Sequence, residues 1–368
     1  MNLEAISFII IMFNSVRSSV GMSQLKINYS LKKAAEWHWK YMVINRELGH
    51  YESYIRKGFS GRKPIDRALR AGYPKTNSCV GEVLSYLKPA IRNSELLSAY
   101  CQLNSVYHRG IVLDPDFDEM GVAAGKGYMV ALLGTRKYFS HRRYPGRKRE
   151  IFFYPYDGQK DFFVSFDSDA EEPDPIKGAS VVGPPISVHF SYYEVQKIKR
   201  KFRSFFDYQS SIRFSLKEKG SSSEIPFYRV VEDKSVYFVP RKPLKAGTDY
   251  VAEFDFPDGY SRKIHFETAP KPEFATIKTS RPRGTVYVPF TPFVDVLDKA
   301  TVVEYRYITY SNCSKKPVVD EAYVLRTKKN TRKIYLRISY EVPDPVVELE
   351  IKVFWLKEPV LLYKNYYK

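Results

Sequence analysis

Apolar positions in the first 140 residues recur at helical spacing and then give way to alternation. Residues 3–20 are mostly apolar, turn polar and stop at Gly21, which predicts a helix. From Asn28 to Leu48, the side chains Leu31, Ala34, Ala35, His38, Tyr41 and Met42 fall three and four apart, a second helix with one core face. Asn28 or Ser30 caps it, and His38 reads as a core histidine. Trp37 and Trp39 fall on other faces. Gly49 stops this helix and leaves His50 just beyond its end. Pro64 opens a short helix that closes at Gly72. Ser78–Leu87 reads as extended and half-buried, with Glu82 as its one acid. Ser94–Asn104 is helical again, with Leu96, Leu97, Tyr100 and Leu103 on one face. Tyr107-His108-Arg109 then leads into the acidic loop Asp114–Glu119. Gly121–Gly125 and Tyr128–Leu133 predict a β-hairpin turning at Lys126-Gly127.

Beyond residue 150 the pattern is short aromatic-rich runs between turn signals, as in a β-sandwich. Ile151–Tyr156, Ile186–Phe190, Ser235–Val239, Asp249–Phe254 and Lys263–Thr268 read as strands. His189 and His265 fall in these strands as packing or edge residues. Val286–Val288, Val302–Tyr310, Ala322–Arg326, Lys333–Tyr340 and Val346–Trp355 continue the β pattern. The stretch Arg136–Arg149 holds seven Lys or Arg and no acid, and reads as an exposed linker. The chain therefore divides into an α+β domain over 1–140, a basic linker over 141–149, a β-sandwich over 150–270 and a β-rich domain over 271–368.

Composition agrees with this division. A chain of 368 residues holds two or three domains, and 30 Tyr with 24 Phe suit pleated sheet. The formal net charge of +18 attracts polyanions such as nucleic acid, anionic lipid or anionic wall polymer; the alternative is a merely solvated basic surface. The lack of a helix-turn-helix pattern, zinc-finger spacing or an RNA-binding aromatic signature argues against sequence-specific nucleic-acid recognition. The linker, helped by Lys197–Arg203, is the candidate contact for an anionic polymer or envelope component. Three cysteines match no metal or redox spacing. Either Cys79 pairs with Cys101 and leaves Cys313 over, or all three are free thiols. The apolar run Ala5–Phe13 follows Glu4 and no Lys or Arg, so it reads as a buried helix, with any export signal upstream or removed. No apolar run reaches the roughly 20 residues that span a bilayer.

Adjacent His108 and Arg109 admit two readings: an imidazole facing a cleft with a guanidinium locking the turn, or two solvated side chains. The rest of the domain supplies context. Asn14-Ser15-Val16-Arg17, Leu31 with Ala34-Ala35, His38 and Tyr41-Met42, Gly49-His50, Pro64 with Asp66-Arg67-Ala68, Gly81-Glu82 and Ser105 with His108-Arg109 occur in this order. Together they resemble the motifs of a bacterial CAP domain, the SCP-like fold of cysteine-rich secretory and plant pathogenesis-related proteins. The resemblance implies an α-β-α sandwich with a central cleft lined by His50, Glu82 and His108. Ser105 stands where fuller members of the family carry a second acid. Val83 and Trp39 also depart from the family pattern. Two imidazoles and one carboxylate can hold Zn²⁺ with water as fourth ligand, or can form a metal-free hydrogen-bonded network. Asp66, Arg67 and Arg109 are expected to brace the site. Val239-Pro240 to Tyr250, closing with Phe266-Glu267-Thr268, resembles a bacterial Ig-like domain, so one or two Ig-like β-sandwich domains are expected to follow.

Three functions are compatible with this reading. The first is a secreted, periplasmic or envelope-associated protein that binds a ligand in the cleft. The second is a hydrolase of envelope or extracellular peptides, in which His50 or His108 acts as general base or both hold a catalytic zinc. The third is adhesion to a polyanion through the basic linker, with no cleft chemistry.

Overall fold

A computed structural model describes residues 1–86, 94–137, 149–179 and 181–269, and seven strands between residues 274 and 355. The first unit sets helices α1 (Leu3–Ser19), α2 (Tyr29–Asn45), α3 (Pro64–Arg70), α4 (Ser94–Cys101) and α5 (Tyr107–Val112) around one sheet. Its strands are β1 (Lys26–Ile27), β2 (Cys79–Tyr86), β3 (Glu119–Gly125) and β4 (Tyr128–Thr135), in spatial order β1-β3-β4-β2. Side chains alternate across a strand, and β4 shows why the sheet has two covers. Val130 and Leu132 pack with Leu31, Ala34 and Ala35 of α2. Met129, Ala131 and Leu133 belong to the core that holds Ile9 and Phe13 of α1. The result is a helix–sheet–helix layering.

Local chemistry fixes the element ends. Asn28 is the α2 cap, accepting from the Ser30 and Leu31 amides at 2.9 and 3.2 Å. Asp66 accepts from the Lys63 amide at 2.9 Å behind the Pro64 start of α3. Lys126 and Gly127 both have positive φ, 53° and 81°, as a two-residue hairpin turn requires. The run from Ala5 to Phe13 is helical and contributes Ile6, Ile9, Met12 and Phe13 to the core. Among the described residues no helix is long and apolar enough to cross a membrane.

The second unit contains β5 (Ile151–Tyr154), β6 (Gln159–Phe162), β7 (Phe166–Asp167), β8 (Val181–Val182), β9 (Ile186–Phe190), α6 (Tyr192–Lys199) and α7 (Phe205–Ser210). It continues with β10 (Arg213–Glu218), β11 (Phe227–Glu232), β12 (Ser235–Pro240), β13 (Asp249–Asp255) and β14 (Ser261–Thr268). Two four-stranded sheets, β10-β13-β14-β6 and β11-β12-β9-β5, meet through aromatic rings. Phe214 stacks on Phe238 at 4.2 Å, and Phe153 lies 5.0 Å from Phe254. The five strands expected here are present. Helix α6 was not foreseen, because the Lys197–Arg203 charges conceal its inner face. Ser191 caps it at the Glu194 amide, Val195 and Ile198 are buried, and Lys199 and Arg200 remain exposed. Further along, β15 (Phe274–Thr279), β16 (Arg283–Phe290), β17 (Thr301–Thr309), β18 (Val318–Tyr323), β19 (Arg326–Asn330), β20 (Lys333–Glu341) and β21 (Val346–Trp355) form sheets β15-β21-β17-β18 and β16-β20-β19.

The two units share a continuous apolar core and are clamped by charge. Arg109 was expected to fix its own turn. It does donate to Leu103 O at 2.6 Å, but its guanidinium also donates to Pro185 O and lies over the Tyr154 ring at 4.8 Å. Lys234 reaches across to Asp114 at 2.8 Å and also pairs with Asp116. Burial and the Asp114 charge push the Asp116 carboxyl up to about 6, against the pull of Lys234.

The Cys79–Cys101 bridge is not formed: both are free thiols. Cys79 opens β2, whereas Cys101 lies beside the other end of that strand, near Leu84 and Tyr86. Five to seven residues of strand separate those ends by roughly 20 Å, far beyond disulfide reach. Cys313 and the linker residues 138–148 lie outside the described residues.

His189 is buried in β9, with Nδ1 2.8 Å from Ser235 Oγ and Nε2 2.9 Å from Ser187 Oγ. Burial, reinforced by the Arg109, Arg17 and Lys234 charges, holds its imidazole well below the usual histidine range. The folded protein therefore keeps it neutral while the unfolded chain takes up a proton below about pH 6.5. Its contribution to stability is complete above that pH and falls by about 1.4 kcal/mol per pH unit below it, until the folded pKa is reached. Asp116, raised in the fold, gives the opposite slope up to about pH 6. Urea midpoints of wild type and His189→Gln between pH 7.5 and 5.5 separate the two effects. The wild type should lose more stability than the variant, and parallel curves would refute the assignment.

Candidate functional site

The site is built at the edge of the first sheet. Helix α2 ends at Arg46 and delivers an ordered loop that carries His50. Strand β2 supplies Glu82, and α5 supplies His108. Beneath the loop lies a buried polar cluster. His38 places Nδ1 2.9 Å from Glu52 Oε1 and Nε2 2.9 Å from Gly49 O. Glu52 accepts from the Ser60 amide at 2.5 Å and from its hydroxyl at 2.9 Å. Arg67 is fully buried, donates to His50 O and to Glu82 Oε2 at 2.7 Å, and so ties the loop to the sheet. Asp66 does not reach this cluster; its carboxylate serves the start of α3.

Glu82 Oε1 lies 2.9 Å from His50 Nδ1. Burial pushes the Glu82 carboxyl up, but the His50 hydrogen bond and the His38 and Arg67 charges outweigh it and hold the group below the ordinary carboxylate range. An ionised Glu82 can only accept, so His50 donates from Nδ1 and, when neutral, keeps an Nε2 lone pair. Both Glu82 oxygens are engaged, and the residue stands behind His50 rather than on the cleft wall.

His108 faces His50 with ring centroids 6.2 Å apart and ring planes 29° from parallel. Its carboxylate partner is one that sequence reasoning missed. Glu171, in the connection between β7 and β8, lies 3.0 Å from His108 Nδ1. It also accepts from the amides of Val106, Tyr107 and His108 at 2.7, 2.8 and 3.1 Å. Beside the imidazoles opens a cleft of about 310 Å³, lined by His50, Leu84, Ser105, His108, Phe166 and Glu171. Ser105 Oγ donates to Gln102 O at 2.7 Å and accepts from the Arg109 amide at 3.1 Å, so it braces α5. Asn104, also on the wall, donates to Ser165 O and leaves Oδ1 without a protein partner. Cys101 lines the cleft with its thiol pushed up to about 12 by burial. Among the described residues, no three His, Cys, Asp or Glu side chains converge as a metal cage.

Residues 10–130 match the family described as CAP, the cysteine-rich secretory protein family. This stretch is a CAP domain. It occupies about a third of the chain. Similar solved structures include an outer surface protein of Borrelia burgdorferi, with 21% identity, 36% of this chain and 94% of that chain covered, and a TM-score of 0.30. An extracellular protein containing a SCP domain from Bacillus anthracis has 21% identity over 35% of this chain and 40% of its own, with a TM-score of 0.31. A cysteine-rich secretory protein of Staphylococcus aureus has 18% identity over 36% and 38%, with a TM-score of 0.27. The match thus spans less than half of the latter two proteins. No curated protein matches this chain in sequence. Within the CAP domain, His50 and His108 meet across the cleft, Glu82 backs the first, and Arg67 joins the network. Arg109 serves the contact with the second unit. The weak sequence signal for Glu171 was the missing acid at Ser105, which left His108 without a carboxylate of its own.

Proposed function

We propose that the chain is a secreted or cell-envelope protein whose CAP cleft binds a small ligand or a divalent cation between His50 and His108, with the following β-domains, the first taken as Ig-like, acting as spacer and docking modules. The observation that carries this is the pair of facing imidazoles, each backed at Nδ1 by a buried carboxylate. Two Nε2 lone pairs and the Asn104 Oδ1 make the cleft an array of acceptors. It suits a cation or a ligand that presents hydrogen-bond donors, and its size is at the small end of ligand pockets. Carboxylates behind both histidines are the outer-shell arrangement that orients imidazole ligands of Zn²⁺. His50 and His108 would hold such an ion, with Glu82 and Glu171 behind them. A bound Zn²⁺ would supply Lewis acidity and an acidified water. The description of the matched family as secretory supports the placement outside the cytoplasm.

A hydrolase is the weaker reading. Ser105 Oγ is engaged on both sides, and the Cys101 thiol is kept protonated by burial, so neither is an activated nucleophile.

Zn²⁺ is the probe that tests the cleft. Chelator-stripped protein is expected to take up one equivalent, and His50→Ala and His108→Ala should each weaken uptake at least about tenfold. Uptake indifferent to both substitutions would refute the cleft as the binding site.

A further inference from the structure

We propose that Glu171, carried by the second unit, is the positioning residue of His108, so that the CAP cleft is a composite site completed by the neighbouring β-domain. This rests on the cleft reading above and specifies how the site is assembled. Four donors converge on one carboxylate: three consecutive backbone amides and the His108 ring. Capping the start of α5 would use the amides alone. The fourth bond acts on the imidazole, because an acceptor at Nδ1 selects the Nδ1–H tautomer and turns the Nε2 lone pair outward. Glu82 does the same for His50, and the two rings then face each other as matching acceptors.

Glu171 is set for this role before any ligand arrives. It is 4% exposed, and its own amide donates to Ser168 O at 3.2 Å. Ser168 Oγ in turn bonds Asp174 and accepts from the Ile176 amide, closing a turn that rests on the second unit. The same segment brings Phe166 to the lining of the cleft. The second unit therefore fixes both the orientation of His108 and the space in front of it. The CAP segment has Ser105 at the position that would otherwise supply an acid, and Ser105 is occupied with Gln102 and Arg109.

The test needs no ligand. In the full-length chain with ¹⁵N-labelled histidine, at a pH where the rings are neutral, long-range ¹H–¹⁵N spectra should show both His50 and His108 protonated at Nδ1. Glu171→Ala should shift His108 toward the Nε2–H form that free histidine favours and leave His50 unchanged. Glu171→Gln keeps an acceptor but removes the charge. It should slow acylation of His108 by diethylpyrocarbonate several-fold, read residue by residue by mass spectrometry, again without effect on His50. A purely structural role for Glu171 would lower stability and move neither signature. Finding His108 protonated at Nε2 in the wild type would overturn the proposal, and that measurement stands even if Glu171→Ala fails to fold. So would a His108 tautomer and acylation rate unchanged in the variants. Absence of Zn²⁺ uptake would count against the metal reading and leave this one intact.

Discussion

Gly121→Ala is expected to prevent the chain from accumulating as a folded protein. A Cβ placed on Gly121 would lie 2.0 Å from Lys32 N and 2.2 Å from Leu31 C, both backbone atoms at the start of α2. A side chain could rotate away from such a contact, but a helix backbone has to move as a body. Lifting α2 by the missing ångström or more would open its whole contact with β3 and β4, where Leu31, Ala34 and Ala35 are completely buried. Interiors at crystal-like density do not absorb that displacement. The cost should exceed about 4 kcal/mol, the range reserved for a named structural failure. Gly81→Ala provides the internal scale. Its Cβ would meet the Ile111 and Phe117 side chains at 2.8 and 3.0 Å, and side-chain adjustment should hold the loss to about 1–3 kcal/mol. Soluble yield and thermal melting of the two variants would check this, and a Gly121→Ala protein that melts like Gly81→Ala would refute it. Because α2 carries His38 and leads directly to His50, the same substitution should also remove the cleft.

Arg109→Ala should cost roughly 3–5 kcal/mol, the scale of a large core truncation with stranded carbonyls added. The guanidinium is fully buried, and burial pushes it down to about 10. Among the described residues no carboxylate forms an ion pair with it. Its charge is held by the Leu103 and Pro185 carbonyls and by the face of Tyr154. Arg109→Lys should recover little, since a compact ammonium can neither fork between two carbonyls nor stack on a ring. Urea denaturation read by tryptophan fluorescence would test this, with Trp37 and Trp39 reporting on the CAP domain. A loss below about 1 kcal/mol would show that the two units hold together without this side chain. The substitution should also disturb His108, since Arg109 follows it directly on α5 and ties that helix to Leu103 O and to Pro185 O of the second unit.

Much of the CAP domain was legible because its elements follow simple periodicities. The row Leu31, Ala34, Ala35, His38, Tyr41 and Met42 read from the sequence is the set buried in α2. The hairpin was marked by Lys126-Gly127. His50, Glu82 and His108 could be picked out because the motifs around them occur in order; the structure bonds Glu82 to His50 and sets the His50 and His108 rings 6.2 Å apart, without a bond from His108 to Glu82. The partnerships were not legible. Glu171 lies in Asp169-Ala170-Glu171-Glu172, an acidic stretch that reads as a solvated loop, and it is 63 residues from His108 in sequence. Arg109 and the Asp114–Asp116 pair looked like local turn chemistry because their partners, Pro185 and Lys234, are far along the chain. Periodicity reports which face of an element is covered, but not which distant segment covers it. Helix α6 escaped for a related reason: two of its eight residues are buried hydrophobics, and its lysines dominate the local pattern.

The anchoring of both imidazoles at Nδ1 separates how fast a partner arrives from how long it stays. A net charge of +18 draws anionic surfaces toward the protein, and this pull weakens as salt shortens its range. The cleft itself presents lone pairs, with two carboxylates immediately behind them, and has no reason to hold an anion while the rings are neutral. Ionic strength should therefore govern the on-rate to an anionic surface, while the residence time of a cleft ligand should depend on its contacts with His50 and His108 and change little with salt. On the proposed reading one polypeptide would carry two kinetic filters of opposite electrical preference, the outer one long-range and the inner one contact-limited.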